Sequence, residues 1–378
     1  MPHRHPLHCI VPPHILEAIA ERGTARQQEM ARASIAASDQ IRTDRLRVTA
    51  RAAMAAQPGT KDRLVYTANF GTGLPGQRVR GEGEPPSGDA AVDEAYDGSG
   101  DTYDLYQQIY GRDSIDGASM RLDSTVHYRQ GYDNAFWDGQ QMVYGDGDED
   151  LPEDERLFNR FTKSLDVIGH ELTHGVTQFT ANLEYRNQSG ALNEHFSDVF
   201  GSLVRQRKLD QTADQADWLI GADLFTANVN GDGIRSMKEP GTAYDDPVLG
   251  RDPQPGHMND YVNTTQDNGG VHINSGIPNR AFYVVATELG GRAWEKAGLI
   301  WYRTLTDGQL SAQAEFQAAA DRTFAVAGEL HGTDSLEQRA VRTGWEAVGI
   351  TVGAETPTPT PTPGTGCLLS VLTLGLYR

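Results

Sequence analysis

Apolar positions along this chain change their period near Leu157. From Arg63 to Tyr144 they come in short alternating runs, such as Leu64-Val65-Tyr66 and Thr125-Val126-His127-Tyr128, punctuated by Gly and Asp. That pattern predicts a twisted, β-rich domain over 56–160. Beyond Leu157 the spacing is helical through to Trp345-Glu346-Ala347-Val348, which gives a helical domain over 161–352. Within it, Phe161 to Phe179 has the apolar spacing of a buried helix, and Gly190 to Val204 reads as a second. Ahead of both domains, His14 to Glu21 reads as a short helix stopped by Gly23, and Ala25 to Ala56 as a helix with few Gly or Pro. The fold class is therefore α+β, with a cleft expected where the two domains meet.

Composition narrows the partners. The chain has 378 residues and a net charge of −19, from 52 acidic and 33 basic side chains. Such an excess argues against nucleic acid as a partner and for a self-repelling, solvated surface, with a monomer expected. Two cysteines, Cys9 and Cys367, stand at opposite ends, so no disulfide framework braces the domains. The start, Met1-Pro2-His3-Arg4-His5-Pro6, has no apolar core of a secretory signal. From Thr356 to Pro363 the chain alternates Thr and Pro, a stiff spacer leading to an apolar end at Cys367 to Tyr377, so that 353–378 reads as linker and tail. About ten apolar residues fall short of the roughly 20 that a membrane-spanning helix needs.

The chemistry concentrates in His170-Glu171-Leu172-Thr173-His174 and in Asn193-Glu194-His195-Phe196-Ser197-Asp198. Helix positions four apart share a face, so His170 and His174 can turn imidazole nitrogens toward one ion. Glu171, between them, is held near the metal without having to bind it, which suits a carboxylate that takes a proton from a metal-activated water. Glu194 and Asp198 share a face of the second helix. Two histidines and one glutamate make a three-ligand set with a fourth position left for water. Read singly, Glu194 is an ordinary helix glutamate, Tyr185 a half-buried aromatic, His272 a core or surface histidine and Arg235 a surface charge.

Six segments in order, Asn134-Ala135-Phe136-Trp137, the His170 helix, Tyr185, the Glu194 helix, Arg235-Ser236-Met237 and Asp267-Asn268-Gly269-Gly270-Val271-His272, resemble the thermolysin-like zinc endopeptidases, or gluzincins. The resemblance runs from about Val65 to Val352 and implies that family's two-domain architecture, with the zinc helix at the junction. It implies one zinc held by His170, His174 and Glu194, with Asp198 supporting His170 and Asn193 supporting His174. Glu171 would be the general base, and Tyr185 and His272 the oxyanion donors, with Asp267 setting the tautomer and charge of His272. Asn134, Ala135 and Trp137 look like the edge that pairs with an extended substrate, and Arg235 like the grip on a substrate carbonyl. The family's pocket for the residue after the scissile bond corresponds to Phe158, Phe161, Val167, Ile220, Leu224 and Ile234, all apolar, so cleavage before large apolar residues is implied.

The segment 1–55, with Cys9-Ile10-Val11-Pro12-Pro13, resembles the short propeptide of the protealysin branch of that family. It implies a zymogen whose own propeptide is an intramolecular inhibitor, and secretion as the destination. Separately, a lone thiol in a proline-stiffened arm makes Cys9 a zinc-facing candidate, because a thiolate is a good zinc ligand. One departure stands out. Of the acidic residues that hold paired calcium ions in some members, Asp166 and Asp217 persist, but the other matching positions hold Arg205, Leu219 and Ala222. A hard dication wants six to eight oxygens, so calcium is not expected at the double site. Asp223, Thr226 and Asp232 offer at most another weak oxygen site. The alternative from a different class is a protein-binding module on a retired protease fold with structural zinc. Retention of Glu171, Tyr185 and His272 argues against it.

Overall fold

A six-stranded mixed sheet carries the first domain. The computed structural model describes residues 8–45 and 57–353, so the expected boundary at 55/56 and nearly all of the 353–378 tail lie outside the described residues. The N-terminal segment contributes β1 (His8–Cys9), α1 (Pro13–Arg22) and α2 (Ala25–Arg45). The first domain contains β2 (Arg63–Thr67), β3 (Gln77–Gly81), α3 (Ala90–Tyr110), β4 (Leu122–Val126), β5 (Ala135–Trp137) and β6 (Met142–Tyr144). The second begins with α4 (Leu165–Gln178) and α5 (Asn187–Lys208), followed by the short strands β7 (Leu219–Ile220), β8 (Arg235–Ser236), β9 (Asp245–Asp246) and β10 (Gly250–Arg251). It closes with α6 (Asp267–Asn274), α7 (Gly276–Leu289), α8 (Ala297–Thr306), α9 (Phe316–His331) and α10 (Leu336–Glu346).

The sheet order is β1-β5-β6-β4-β2-β3, with β2 parallel to β4 and β4 parallel to β6. Its edge beyond β5 is covered by β1, so the N-terminal segment supplies the last strand of the first domain's sheet. An edge strand with unpaired backbone groups is a ready docking site for an extended chain, and here the protein's own arm takes it.

Two features of the first domain differ from the sequence reading. The 21-residue α3 was not foreseen in the β-rich stretch. Its buried face keeps helical spacing, but beside Val92 and Leu105 it is built from small and hydroxylated side chains, among them Ala91, Ala95, Tyr96, Ser99, Thr102 and Tyr106, that weaken an apolar signal. Asp89 caps its start by accepting from the Ala91 and Val92 amides, and Gly111 ends it at φ 70°. Strand β4 also stops at Val126, because His127 turns into the left-handed region at φ 52°.

Helices α4 and α5 form the central pair of the second domain. Where they cross, an added Cβ on Gly169 would lie 3.0 Å from the Gly201 Cα, and one on Gly201 would lie 2.4 Å from the Asp166 carbonyl. Only glycine permits that approach, and the approach is what brings His170 and Glu194 within reach of one ion. Helix α4 also packs against α3 and β5, and so lies at the junction of the two domains. One large apolar cluster runs through both domains and takes in Ile10, Val11, Ile15, Leu16 and Ile19 of the N-terminal segment.

Candidate active site

His170 and His174 point their Nε2 atoms at each other across 3.0 Å. Glu194, from α5, completes the triangle at 3.5 Å from His170 Nε2 and 3.4 Å from His174 Nε2. All three side chains are buried, and their ligand atoms lie within 4.8 Å of one another, the one such grouping of His, Cys, Asp or Glu among the described residues. Each imidazole is fixed from behind. His170 Nδ1 meets Asp198 Oδ1 at 2.8 Å, and His174 Nδ1 meets Asn193 Oδ1 at 2.8 Å and Ser197 Oγ at 3.0 Å. The carboxylate and amide acceptors put the protons on Nδ1, which leaves two Nε2 lone pairs facing one another and a carboxylate. Glu194 Oε2 has no hydrogen-bond donor at all. Such a cluster of acceptors in a buried site repels itself unless a cation sits among them, so the residues fit a resident metal ion.

Asp198 is the hub of the outer layer. Besides His170 it accepts Arg235 Nε at 2.9 Å, Arg235 Nη2 at 2.7 Å and Asn279 Nδ2 at 2.8 Å. Burial pushes its carboxyl up, but the Arg235 guanidinium and the His170 N–H outweigh that and hold it well below the usual carboxylate range. The roles of Ser197 and Asn279 were not legible beforehand. A serine and an asparagine on helices give no chemical signal until the fold brings Ser197 to His174 and Asn279 to Asp198.

Glu171 is fully buried, with Oε2 accepting the Trp137 amide of β5 at 3.0 Å and Oε1 without a donor. Burial and the neighbouring Glu194 charge raise its pKa well above the ordinary value, against the Trp137 amide, the Arg235 charge and the Ile10 amide. Tyr185 donates its hydroxyl to Glu194 Oε1 and lies 3.0 Å from His272 Nε2. His272 Nδ1 meets Asp267 Oδ1 at 2.6 Å, while Asp267 Oδ2 accepts the His272 amide at 2.8 Å. Burial would lower the pKa of His272, but the Asp267 and Glu194 carboxylates prevail and raise it to about 9. The left-handed run Asp267, Asn268, Gly269, Gly270 makes the turn that lets Asp267 cap the very helix on which His272 sits.

The expected substrate-facing residues are gathered on the N-terminal arm. Asn134 Oδ1 accepts the Val11 amide at 3.0 Å, the Ala135 carbonyl accepts the Ile10 amide at 3.3 Å, and His8 pairs with Trp137. Arg235, read alone as a surface charge, is buried, and its Nη1 donates to the Ile10 carbonyl at 3.1 Å. Phe158, Phe161, Val167, Ile220, Leu224 and Ile234 are all buried in the apolar cluster that also contains Ile10. Cys9 is buried with Tyr128, Tyr132, Phe136 and Val143. Its carbonyl oxygen lies 3.0 Å from His272 Nε2. His14 of α1, unremarked in the sequence, reaches Tyr244 Oη at 2.9 Å.

At the expected calcium positions, Arg205 Nη1 lies 2.6 Å from Asp217 Oδ2 and Nε 3.9 Å from Asp223. Asp166 is held by Ser164 Oγ at 2.5 Å and the Gly221 amide at 2.7 Å.

A two-domain α+β architecture around a buried His-His-Glu trio defines a metallopeptidase of the type anticipated, and sequence comparison agrees. Residues 46–178 match the family model for the thermolysin metallopeptidase catalytic domain, and residues 181–350 match that for the thermolysin metallopeptidase alpha-helical domain. The chain belongs to the thermolysin metallopeptidase family. Among its relatives, an extracellular metalloprotease of Pectobacterium carotovorum subsp. carotovorum is 49% identical over 351 residues, 93% of this chain and 98% of that one. The precursor of protealysin, a metalloproteinase from Serratia proteamaculans, superposes with a TM-score of 0.83 at 48% identity, covering 91% of this chain and all of the other. A thermolysin of Alicyclobacillus acidocaldarius subsp. acidocaldarius is 41% identical over 269 residues, 69% of this chain and 46% of that protein.

Proposed function

We propose that the chain is a secreted, zinc-dependent endopeptidase, made as a zymogen in which residues 1–55 are the inhibitor, and that it cleaves extended peptides before large apolar residues. The observation that carries this is the trio of His170, His174 and Glu194 with Glu171 at its side, both oxyanion donors opposite, and an extended strand already lying across them. Zinc suits the donor set: ligands at ~2.1 Å in a tetrahedron lie roughly 3.4 Å apart, and here the imidazole nitrogens are 3.0 Å apart, with Glu194 Oε1 3.4 Å from His174 Nε2 and Oε2 3.5 Å from His170 Nε2. When bound, zinc supplies Lewis acidity that brings the pKa of water toward ~7.

The protein's own groups do the rest. Glu171 orients the attacking water, takes its proton, and passes that proton to the departing amine nitrogen. Its position between two ligand histidines keeps the carboxylate beside the trio, and the Trp137 amide fixes one oxygen. Tyr185 and His272 donate to the oxyanion that forms at the attacked carbonyl. Asp267 keeps His272 protonated for that task. Asn134 and Ala135 align the substrate backbone, Arg235 grips the carbonyl that follows the scissile bond, and the apolar pocket selects the next side chain. The Arg205 guanidinium supplies the positive charge on Asp217 that calcium supplies elsewhere, so the double site is read as calcium-independent.

Hydrolysis of an N-terminally blocked peptide with a Leu or Phe after the scissile bond tests the assignment. Activity should vanish with a chelator and return with about one zinc per chain. A protein that binds zinc yet leaves such peptides intact after removal of its N-terminal segment would contradict it.

A further inference from the structure

His195 follows Glu194 on α5, and successive helix residues point about 100° apart, so the two side chains serve different neighbours. Glu194 faces His170 and His174, whereas His195 reaches α7 and α8. Its Nε2 lies 2.7 Å from the Trp301 indole nitrogen, and its Nδ1 lies 2.8 Å from Asn279 Oδ1. Asn279 in turn gives Nδ2 to Asp198 Oδ2 at 2.8 Å, and Asp198 Oδ1 meets His170 Nδ1 at 2.8 Å. A line of hydrogen bonds therefore runs from Trp301 through His195, Asn279 and Asp198 to a residue of the metal trio, and every member of it is buried. Its far end is held by packing. The Trp301 ring lies 6.3 Å from that of Trp345 and 7° from parallel, with the Phe282 ring tilted against it at 5.0 Å, and Trp345 Nε1 is itself tied to Thr323 Oγ1 at 2.8 Å.

The two ends of this line are one-way groups. An indole N–H only donates, and an ionised carboxylate only accepts. Between them stand two groups whose shape leaves the direction open: an amide presents either oxygen or NH2, and an imidazole carries its proton on either nitrogen. Trp301 fixes the imidazole, because Nε2 must accept and the ring proton then sits on Nδ1. That proton goes to Asn279 Oδ1, which leaves the Asn279 NH2 for Asp198. Any other arrangement sets two donors or two acceptors face to face in a buried place. The consequence falls on Asp198, whose Oδ1 takes His170 Nδ1 and Arg235 Nη2 while Oδ2 takes Arg235 Nε and Asn279 Nδ2. With two donors on each oxygen the carboxylate has no second orientation of equal energy. We infer that His195 and Trp301 are positioning residues for the metal centre: the Trp301 N–H sets the tautomer of His195, His195 sets the direction of the Asn279 amide, and that amide holds Asp198 behind His170. The inference rests on the zinc reading above. A buried histidine that only satisfied its own hydrogen bonds would contribute to stability and leave metal affinity alone.

The experiment uses the full chain with Glu171→Gln, which suppresses self-cleavage, as the parent. Replacements of His195 separate the two ring nitrogens: an asparagine amide nitrogen takes the place of Nδ1, a glutamine amide that of Nε2, and leucine replaces neither. Zinc affinity, measured by chelator competition, should fall about tenfold in His195→Leu and His195→Gln and largely return in His195→Asn. Trp301→Phe keeps a stacked ring without the N–H and should shift affinity in the same direction by a smaller factor. Melting of the metal-free proteins reports folding and stability separately. In the parent itself, 15N NMR of the His195 ring should show Nδ1 protonated and Nε2 bare. Folded His195→Leu and His195→Gln chains with parental zinc affinity, or an asparagine variant no better than the glutamine one, overturn the inference. An Nε2-protonated ring in the parent overturns it without any substitution at residue 195, and should the His195 variants fail to fold, undiminished affinity in Trp301→Phe does the same. A folded parent that binds no zinc overturns the zinc reading instead.

Discussion

Replacing Asp198 with asparagine tests how the site is built, because that single carboxylate holds both His170 of the His-His-Glu trio and Arg235, the proposed substrate grip. It is completely buried and collects four donors: His170 Nδ1 at 2.8 Å, Arg235 Nη2 at 2.7 Å, Arg235 Nε at 2.9 Å and Asn279 Nδ2 at 2.8 Å. Asparagine keeps the size but offers one oxygen and one NH2, so whichever way it turns, two donors confront a donor. Arg235 loses its anion while remaining buried. Breaking a buried pair from one side costs about 3 to 5 kcal/mol, and loosening the partner of a ligand histidine lowers metal affinity by about 10- to 100-fold. Both quantities are measurable in a Glu171→Gln background, where self-cleavage is suppressed: the first by denaturant unfolding, the second by chelator competition. Replacing both partners with apolar residues, as in Asp198→Leu with Arg235→Met, should recover much of the stability but none of the metal affinity. A stability loss under about 1 kcal/mol with unchanged metal affinity would refute the assignment of Asp198 as the shared anchor.

Further expectations are independent of that one. Glu171→Gln should retain about one zinc per chain by elemental analysis and lose on the order of 10² fold or more in peptide hydrolysis; wild-type rates would remove it from the mechanism. A cleavage map of an unfolded protein should be dominated by sites before Leu, Phe, Ile or Val, and predominance of Asp, Lys or Gly would contradict the apolar pocket. Arg205→Ala should lower stability by unbalancing Asp217 and the buried Asp166, while the wild-type melting temperature stays nearly indifferent to millimolar calcium; a large calcium-dependent rise would count against the guanidinium as replacement. His127 bridges Asp146 at 2.7 Å and Asp89, the N-cap of α3, at 2.9 Å, and the Asp146 hydrogen bond leads the causes that raise its pKa to about 9. Because the folded-state value is raised, its stabilisation is complete below the ordinary pKa near 6.5 and is lost as pH climbs through 9. With Asp89 largely exposed, the difference between wild type and His127→Gln should shrink by about 1 kcal/mol between pH 6 and pH 10, and denaturant titrations at the two pH values that find no such change would refute it.

The sequence determined what spacing and residue type can carry. Four residues on a helix put His170 and His174 on one face with Glu171 between them, and the second helix offered Glu194 with Asp198 a turn later. Change of period near Leu157 separated a sheet-bearing half from a helical half, and Cys9 to Pro13 marked the arm. Helix α3 escaped because, Val92 and Leu105 apart, its buried face is made of Gly, Ala, Ser, Thr and Tyr, whose burial depends on what packs against them. The tertiary structure decided everything that needs two distant segments at hydrogen-bond range: Asn279 and Arg235 converging on Asp198, the Trp137 amide on Glu171, and the arm lying along β5. Local pattern constrains which way a side chain faces along its own element. Close packing of separate elements, as at Gly169 and Gly201, sets the distances between them, and it is those distances that bury Arg235 between Asp198 and the Ile10 carbonyl and place the Cys9 carbonyl against His272.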